Sequence, residues 1–208
     1  MNAAIFQVVN EFFTRTINQH GPTPKGVDWN SEAAQEVRFE QLLKILPEDG
    51  SHSLNDYGCG YGALLDYCLK HGLDVDYVGF DIVEAMIKEA VRTHDKIERA
   101  RFIYGQQLTV ESDYTVASGV FNLKGPIPDE TWTQYVCDTL EKIDRLSKKG
   151  FAFNLLTKYS DAEKMRSDLY YGDPCFYFDL CKRLYARNIA LLHNYRQYEF
   201  TILVHKEI

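Results

Sequence analysis

The spacing of apolar residues along the chain changes between a helical and an extended period. Residues 2–18 carry apolar side chains on one helical face, and residues 83–90 repeat them at i, i+3, i+4 and i+7. Between the helical segments lie short runs that we expect to be strands: 51–54, 76–81, 101–104, 113–122 (the fourth strand with its exit), 150–156, 188–192 and 199–204. Strands that alternate with helices are typical of an α/β protein with a parallel sheet.

Capping residues predict where several helices begin and end. Pro47 should end the second helix, and Lys148-Lys149-Gly150 should close the long helix before the fifth strand. Side chains suited to N-caps precede three helices: Asn30 or Ser31, Asp129, and Asp173 ahead of Pro174.

The most informative stretch is Asn55-Asp56-Tyr57-Gly58-Cys59-Gly60-Tyr61-Gly62, which follows a short strand and precedes a helical segment. Glycine permits the backbone angles of a tight turn and lets a ligand approach the main chain. The helix that follows points its free N–H groups at whatever binds there. This order of elements predicts a nucleotide-binding corner.

Two ligands fit this corner. Gly58-x-Gly60-x-x-Ala63, with Asp81 downstream, matches a dinucleotide fingerprint and indicates NAD. Asp56, however, would place a carboxylate near a doubly charged pyrophosphate. The same carboxylate suits the amino group of S-adenosylmethionine, so we favour that cofactor and keep NAD as the alternative. Asp81, at the end of the second strand, can accept both ribose hydroxyls.

Asp56-Tyr57-Gly58-Cys59-Gly60-Tyr61-Gly62, followed by Gly79-Phe80-Asp81-Ile82 and Met86, resembles the class I S-adenosylmethionine-dependent methyltransferases. The resemblance covers about residues 50–155. It implies a Rossmann-like, seven-stranded, mostly parallel sheet with an antiparallel C-terminal strand and helices on both faces. It also implies contacts of the cofactor with these residues: Gly58, Cys59 and Gly60 at the methionine portion, Asp56 at the amino group, Asp81 at the ribose and Ile82 at the adenine.

The chain is expected to form one domain over residues 1–208, with a helical cap at 1–47 and a substrate-side insertion at 156–187. In similar methyltransferases, N-terminal helices lie across the cofactor. Arg38 is therefore a candidate for the cofactor carboxylate, or else a solvated arginine, and Trp29 is either a cofactor contact or a residue packed between helices. Gln106 stands where this family often has an acidic residue near the adenine amino group, and its amide oxygen can accept the same hydrogen bond.

The exit of the fourth strand should lie beside the reactive sulfur, because ligands of parallel sheets bind at the carboxyl ends of strands. The candidates there to enclose the methyl group are Ser118, Gly119 and Phe121, and Asn122 is a candidate to touch cofactor or substrate. Within the insertion, Arg166 and Tyr170 are candidates for binding the acceptor, and Arg166 suits a phosphate or carboxylate. Candidates for a general base are His193, Tyr171 and His20, although a histidine packed in a turn remains the alternative for His193.

The net charge of −7 and the pI near 5.4 argue against a general binder of nucleic acid or anionic membranes. Residues 142–187 depart from this balance, with a local charge of +4. The five cysteines form no C-x-x-C pair, which favours free thiols in the cytoplasm over disulfides or zinc. We expect no metal site, because the histidines lack metal-ligand spacing, and we identify neither a signal peptide nor an apolar run of membrane length.

Taken together, these features predict a cytoplasmic S-adenosylmethionine-dependent methyltransferase that modifies an O or N atom of a small molecule. An anionic, sugar or specialised-metabolite acceptor would suit the sequence. The alternatives are an NAD-dependent oxidoreductase and a catalytically silent methyltransferase-like protein that binds cofactor or a partner. The acceptor and the oligomeric state are not specified by the sequence.

Overall fold

The computed structural model of the 208-residue chain describes residues 2–206. The α-helices within this range are α1 (Asn2–His20), α2 (Glu32–Leu43), α3 (Ala63–Lys70), α4 (Glu84–Thr93), α5 (Asp129–Leu146) and α6 (Pro174–Leu184). The strands are β1 (His52–Tyr57), β2 (Val75–Asp81), β3 (Ala100–Tyr104), β4 (Ser112–Ala117), β5 (Ser147–Thr157), β6 (Tyr171–Gly172), β7 (Asn188–Leu192) and β8 (Glu199–His205).

The strands form one sheet in the order β3-β2-β1-β4-β5-β8-β7, and β6 pairs with β5 outside this path. Strand β8 runs antiparallel to β5 and to β7, and the other pairs are parallel. The mostly parallel α/β sheet with an antiparallel C-terminal strand is therefore confirmed. The sheet has eight strands rather than seven, because Tyr171–Gly172 pairs with Leu156–Thr157. Two residues are too few to show the alternation of a strand in the sequence.

Helices cover both faces of the sheet, as predicted. On one face, Trp132 of α5 and Tyr177 of α6 pack with Phe151 and Phe153 of β5. On the other face, α2 and α3 contribute a second cluster that includes Leu42 and Leu65. Alternate side chains of the central strands supply both clusters, which explains why these strands are apolar on both sides.

Helix α1 packs against the core of the domain. Residues 105–111 join β3 to β4 without an α-helix, and the fully buried Ile5 of α1 clusters with Tyr57, Phe80 and Trp132 on the face that α5 also covers. The Phe6 ring meets the Tyr135 ring edge to face at 6.1 Å between centroids. The N-terminal helix is thereby fixed over the ends of β1 and β2.

Two of the predicted N-caps are confirmed, and one is wrong. The Ser31 side chain accepts a hydrogen bond from the Ala34 amide at 3.1 Å, and the Asp173 carboxylate accepts one from the Cys175 amide at 2.9 Å. Asp129 is instead the first residue of α5, and Pro128 occupies the cap position.

The predicted role of Lys148-Lys149-Gly150 as the end of a helix is also wrong. Helix α5 ends at Leu146 and β5 begins at Ser147, whose hydroxyl donates to the Ile143 carbonyl at 2.6 Å. Gly150 lies within β5 opposite His205 of β8, where an added Cβ would lie 2.4 Å from the Val204 carbonyl oxygen. Close approach of two strands, and not a helix cap, therefore explains the glycine.

We predict that Gly150→Ala lowers the free energy of unfolding by about 1 to 3 kcal/mol, because the methyl group forces β5 and β8 apart. Gly105→Ala is the matched control, since an added Cβ there meets nothing within 4 Å. Urea unfolding of the two variants checks this, and equal stabilities of the two would contradict it.

His94, at the end of α4, joins that helix to α3. Its Nδ1 lies 2.8 Å from the Ala90 carbonyl oxygen and its Nε2 lies 2.9 Å from Asp66 Oδ1. A protonated imidazole can donate to both oxygens. The hydrogen bond with Asp66 raises the pKa of His94, although burial acts in the opposite direction.

This ion pair predicts a pH dependence of stability. Because the folded-state pKa lies above the ordinary value of 6.5, the stabilisation is complete below 6.5 and is lost as pH rises through the folded-state value. The free energy of unfolding should therefore fall, as pH rises above about 6.5, more steeply in the wild-type protein than in His94→Gln. Parallel curves from urea unfolding at each pH would contradict this prediction.

Candidate functional site

A cavity lies at the carboxyl ends of β1, β2 and β4. The strand order reverses between β1 and β4, because β2 and β3 lie on one side of β1 while β4 and β5 lie on the other. Crevices at such points are the usual ligand sites of open α/β sheets. Nine of the predicted site residues line this cavity: Trp29, Asp56, Gly58, Cys59, Gly60, Asp81, Ile82, Ser118 and Gly119.

The glycine turn between β1 and α3 is fixed by hydrogen bonds from its backbone amides to the end of β2. The Gly58 and Cys59 N–H groups donate to the Phe80 carbonyl at 2.7 and 3.0 Å, and the Gly60 N–H donates to Asp81 Oδ2 at 2.8 Å. Gly58 has φ +80°, and an added Cβ would lie 2.4 Å from Val120 Cγ2. These three amides are therefore used within the protein. The donors left for a ligand are the first-turn amides of α3, which have no partners inside the helix.

Asp56 is buried at the base of the cavity with 2% of its surface exposed. Its Oδ2 accepts a hydrogen bond from the Tyr77 hydroxyl at 2.6 Å, while its Oδ1 has no partner within residues 2–206. Burial raises the pKa of Asp56 to about 7, and the charge of Asp81 adds to this, whereas the Tyr77 hydrogen bond lowers it. A cationic group in the cavity would relieve this unpaired, buried charge.

Asp81 ends β2 and joins the glycine turn to the start of α4. Its Oδ2 accepts from the Gly60 amide and its Oδ1 accepts from the Val83 amide, both at 2.8 Å. Burial raises the pKa of Asp81 to about 6 against the lowering effect of these hydrogen bonds. Each carboxylate oxygen retains a lone pair for a ligand hydroxyl.

The remaining wall of the cavity is largely apolar, and much of it comes from the N-terminal segments. Val9 and Phe13 of α1, Val27 of the 3₁₀ turn Pro24–Val27 and Phe39 of α2 line it, together with Met86 of α4. Val9 and Phe13 lie within residues 2–18, whose helical spacing predicts one buried face. That spacing shows that a face is buried, but it does not show that a cavity lies against it.

Four residues predicted to contact the cofactor or substrate lie behind or beside the cavity lining. Phe121 is fully buried in the core, and Gln106 is exposed next to Gly105, which does line the cavity. Asn122 accepts a hydrogen bond from the Leu156 amide at 3.2 Å. The Arg38 guanidinium lies 3.9 Å from the Trp29 ring centroid and pairs with a buried carboxylate.

The residues predicted to bind the acceptor or act as bases also lie outside the cavity lining. Arg166 forms ion pairs with Asp28 at 3.1 Å and Asp168 at 2.7 Å. The Tyr170 hydroxyl is buried against Thr133 and Tyr177, at 2.7 and 2.9 Å. The other three predicted residues do not meet there either: the Tyr171 hydroxyl accepts from the Arg166 amide, and both His20 and His193 are exposed.

The excess positive charge of residues 142–187 is spread over local ion pairs. Lys148 pairs with Glu111 and Lys149 with Asp113 at the start of the sheet, on the side opposite the cavity. Lys158 pairs with Asp173. The segment therefore presents paired charges instead of a concentrated anion-binding patch.

Within residues 2–206, no helix combines the length and the hydrophobicity that a membrane crossing requires.

No protein-family model matches this sequence. The chain is 48% identical over 164 residues to the protein named Putative methyltransferase Rv1506c of Mycobacterium tuberculosis (strain ATCC 25618 / H37Rv), and the match covers 79% of this chain and 99% of that protein. Two solved structures share the fold. The N-methyltransferase NodS from Bradyrhizobium japonicum WM9, in complex with S-adenosyl-L-homocysteine, has a TM-score of 0.67, 15% identity, and coverage of 97% of this chain and 100% of NodS.

The second is phosphoethanolamine N-methyltransferase 1 of Haemonchus contortus, in complex with phosphoethanolamine and S-adenosylhomocysteine. It has a TM-score of 0.68 and 12% identity, and the match covers 100% of this chain and 51% of that one. At these identities the two structures establish a common fold, and the Mycobacterium relative establishes the kinship. The chain with the Asp56–Gly62 turn belongs to the methyltransferase family.

Proposed function

We propose that this methyltransferase binds S-adenosylmethionine in the cavity and transfers its methyl group to an O or N atom of a small molecule. The observation that carries the proposal is the buried Asp56 carboxylate, whose Oδ1 lacks a partner among the described residues. An ammonium group is the natural complement of that oxygen, because it both neutralises the charge and donates hydrogen bonds. S-adenosylhomocysteine, the demethylated form of this cofactor, is bound in two structures of the same fold, which supports this choice.

The other parts of the cofactor have suitable partners. Asp81 can accept hydrogen bonds from ribose hydroxyls through the lone pairs that Gly60 and Val83 leave free. The apolar Ile82 and Met86 can lie against the adenine. The first turn of α3 presents amides and the positive end of a helix dipole to the methionine carboxylate. NAD would place a pyrophosphate beside Asp56, which disfavours the oxidoreductase alternative.

The cofactor brings an activated methyl group, so the protein needs to orient the acceptor and exclude water. Burial raises the pKa of the cavity-lining Tyr57 well above its usual range and also raises that of Tyr135. These phenols are therefore poor bases near neutral pH. We propose that the site orients the acceptor without strong general-base catalysis, which suits an amine or a readily ionised hydroxyl.

The acceptor portion inside the cavity is proposed to be uncharged and largely apolar. The described lining residues include Asp56 and Asp81 but no lysine, arginine or histidine. Arg166, expected to receive an anionic group, is neutralised by Asp28 and Asp168. A phosphate or carboxylate on the acceptor would therefore have to lie outside the cavity. A cytoplasmic location is part of the proposal, and the free thiols of the five cysteines support it.

We predict that Asp56→Asn binds S-adenosylhomocysteine about tenfold to a hundredfold more weakly than the wild type, because an amide cannot neutralise the ammonium group. Asparagine keeps the shape of the side chain and can still accept from the Tyr77 hydroxyl. Isothermal titration calorimetry measures the change, with NADH titrated alongside.

Asp113→Asn is the control for this substitution. Asp113 is the second residue of β4, accepts a hydrogen bond from the Ser53 amide at 3.2 Å and lies outside the cavity lining. Its variant should bind as the wild type does. Binding of NADH in place of S-adenosylhomocysteine, or equal affinities of wild type and Asp56→Asn, would contradict the proposal. Tight binding without methyl transfer to any acceptor would point to the catalytically silent alternative.

The pH dependence of binding gives a second test. With the pKa of Asp56 raised to about 7 in the free protein, the ligand ammonium selects the ionised form, so affinity should increase as pH rises through 7 and then level off. The limiting slope below pH 7 is about tenfold per pH unit. 5′-Methylthioadenosine, which has the adenosine but neither ammonium nor carboxylate, should show little change across pH 7. Calorimetry that gave parallel curves for the two ligands would rule out Asp56 as the ammonium partner.

A further inference from the structure

A second buried carboxylate, that of Glu199, lies at the start of β8 and is fully shielded from solvent. Its Oε1 lies 2.6 Å from Arg38 Nε in an ion pair that lacks the alignment of a hydrogen bond, and its Oε2 accepts a hydrogen bond from Asn154 Nδ2 at 3.0 Å. Glu199 does not line the cavity. Each of its two partners, however, contacts a residue that lines the cavity.

The first connection runs through Arg38 of α2. The Arg38 guanidinium lies 3.9 Å from the centroid of the Trp29 ring and also donates to the Ala34 carbonyl. A planar guanidinium that is held by a carboxylate and stacked on an indole restricts the indole to one orientation. Trp29 lines the cavity at the exit of the N-terminal 3₁₀ turn Pro24–Val27.

The second connection runs through Asn154 of β5. Its Oδ1 accepts a hydrogen bond from the Gly119 amide at 2.7 Å, which fixes the turn that follows β4. Gly119 has φ +70°, and a Cβ there would lie 2.4 Å from Trp29 Cζ2. The indole thus packs directly on the Gly119 backbone, and the two connections from Glu199 meet again at this contact.

The buried contacts of Glu199 with Arg38 and Asn154 contribute little net stability for the desolvation that they require. Burying an arginine and a glutamate costs desolvation energy that their attraction offsets only in good geometry, and apolar residues of similar volume are often as stable. These contacts reach two cavity-lining residues, Trp29 and Gly119, so we look for their role in the shape of the cavity and not in stability alone.

We propose that Glu199 is a positioning residue of the methyltransferase site: through Arg38 and Asn154 it sets the position of Trp29 against the Ser118–Val120 turn, and so the shape of the cavity. This inference rests on the proposed function, since it assumes that the cavity binds the cofactor. The carboxylate touches neither ligand nor reacting atoms. It acts by holding two walls, one from the N-terminal segments and one from the sheet, in a single arrangement.

The test compares wild type, Glu199→Gln and the paired variant Arg38→Met/Glu199→Gln. The paired variant removes both charges together, so it leaves no unpaired charge in the core if the single variant fails to fold. Ser147→Ala is the control: Ser147 is buried at the opposite end of β5, where its hydroxyl donates to the Ile143 carbonyl at 2.6 Å and lies 2.7 Å from Thr115 Oγ1, and it touches neither connection. It should lower stability without altering the cavity.

Two readouts separate positioning from stability alone. Calorimetry with S-adenosylhomocysteine gives the affinity, and the emission of Trp29 is obtained by subtracting the spectrum of each protein's Trp29→Phe counterpart, since the chain has only Trp29 and Trp132. We expect both Glu199 variants to bind at least about tenfold more weakly and to show a shifted Trp29 emission. Ser147→Ala should match the wild type in both.

Wild-type affinity in the folded Glu199 variants would overturn the inference, whatever happens to the emission, and would leave Glu199 as a core ion pair. Weaker binding with unchanged Trp29 emission would overturn it too, because Arg38 would then not transmit the effect. If the wild type itself fails to bind S-adenosylhomocysteine, the proposed function fails instead. The Trp29 emission, which needs no ligand, then decides alone whether Glu199 positions the indole.

Discussion

The carboxylate of Asp56 is buried beneath the glycine turn with one hydroxyl, that of Tyr77, as its partner. A charge in that position is unfavourable in the free protein, and burial raises the pKa of the group to about 7 as a result. A cation bound next to the carboxylate would stabilise its charged form. The parallel sheet supplies the position: Asp56 lies near the end of β1, and the strand order reverses beside it, so the ends of β2 and β4 form the rest of the site.

The second constraint is that one wall of the cavity is formed by the segments that precede β1 in the chain. Helix α1, the 3₁₀ turn and α2 bring Phe13, Val27 and Trp29 over the strand ends. Their placement depends on distant contacts: Ile5 enters the core, and Arg38 reaches Glu199. Arg166 adds a further link, because its ion pair with Asp28 joins the insertion after β5 to the same N-terminal segments.

The residues of the glycine turn could be placed beside one another from the sequence because their arrangement is local. The spacing of Asp56, Gly58, Gly60 and Asp81 specifies a strand, a turn and the next strand end, and all four line the cavity. Other assignments did not anticipate a partner that is remote in sequence. Arg38 looked free for a ligand because nothing nearby in the chain shows its pairing with Glu199, and Arg166 looked like an anion site because Asp28 is far from it.

A different reason applies to Gly150 and Phe121. Gly150 has the local features of a helix end, but it follows a helix that runs directly into a strand, and the carbonyl of Val204 occupies the space of a side chain. Phe121 lies close in sequence to the cavity-lining Gly119, yet its ring turns into the core. Position after a strand predicts the neighbourhood of a residue better than the direction of its side chain.

The most direct measurement of the central claim is a crystal structure of the protein with S-adenosylhomocysteine. The account predicts the ligand amino nitrogen within about 3 Å of Asp56 Oδ1, and the ribose hydroxyls at the Asp81 carboxylate. A ligand bound with its amino group directed away from Asp56, or bound outside the cavity, would contradict it.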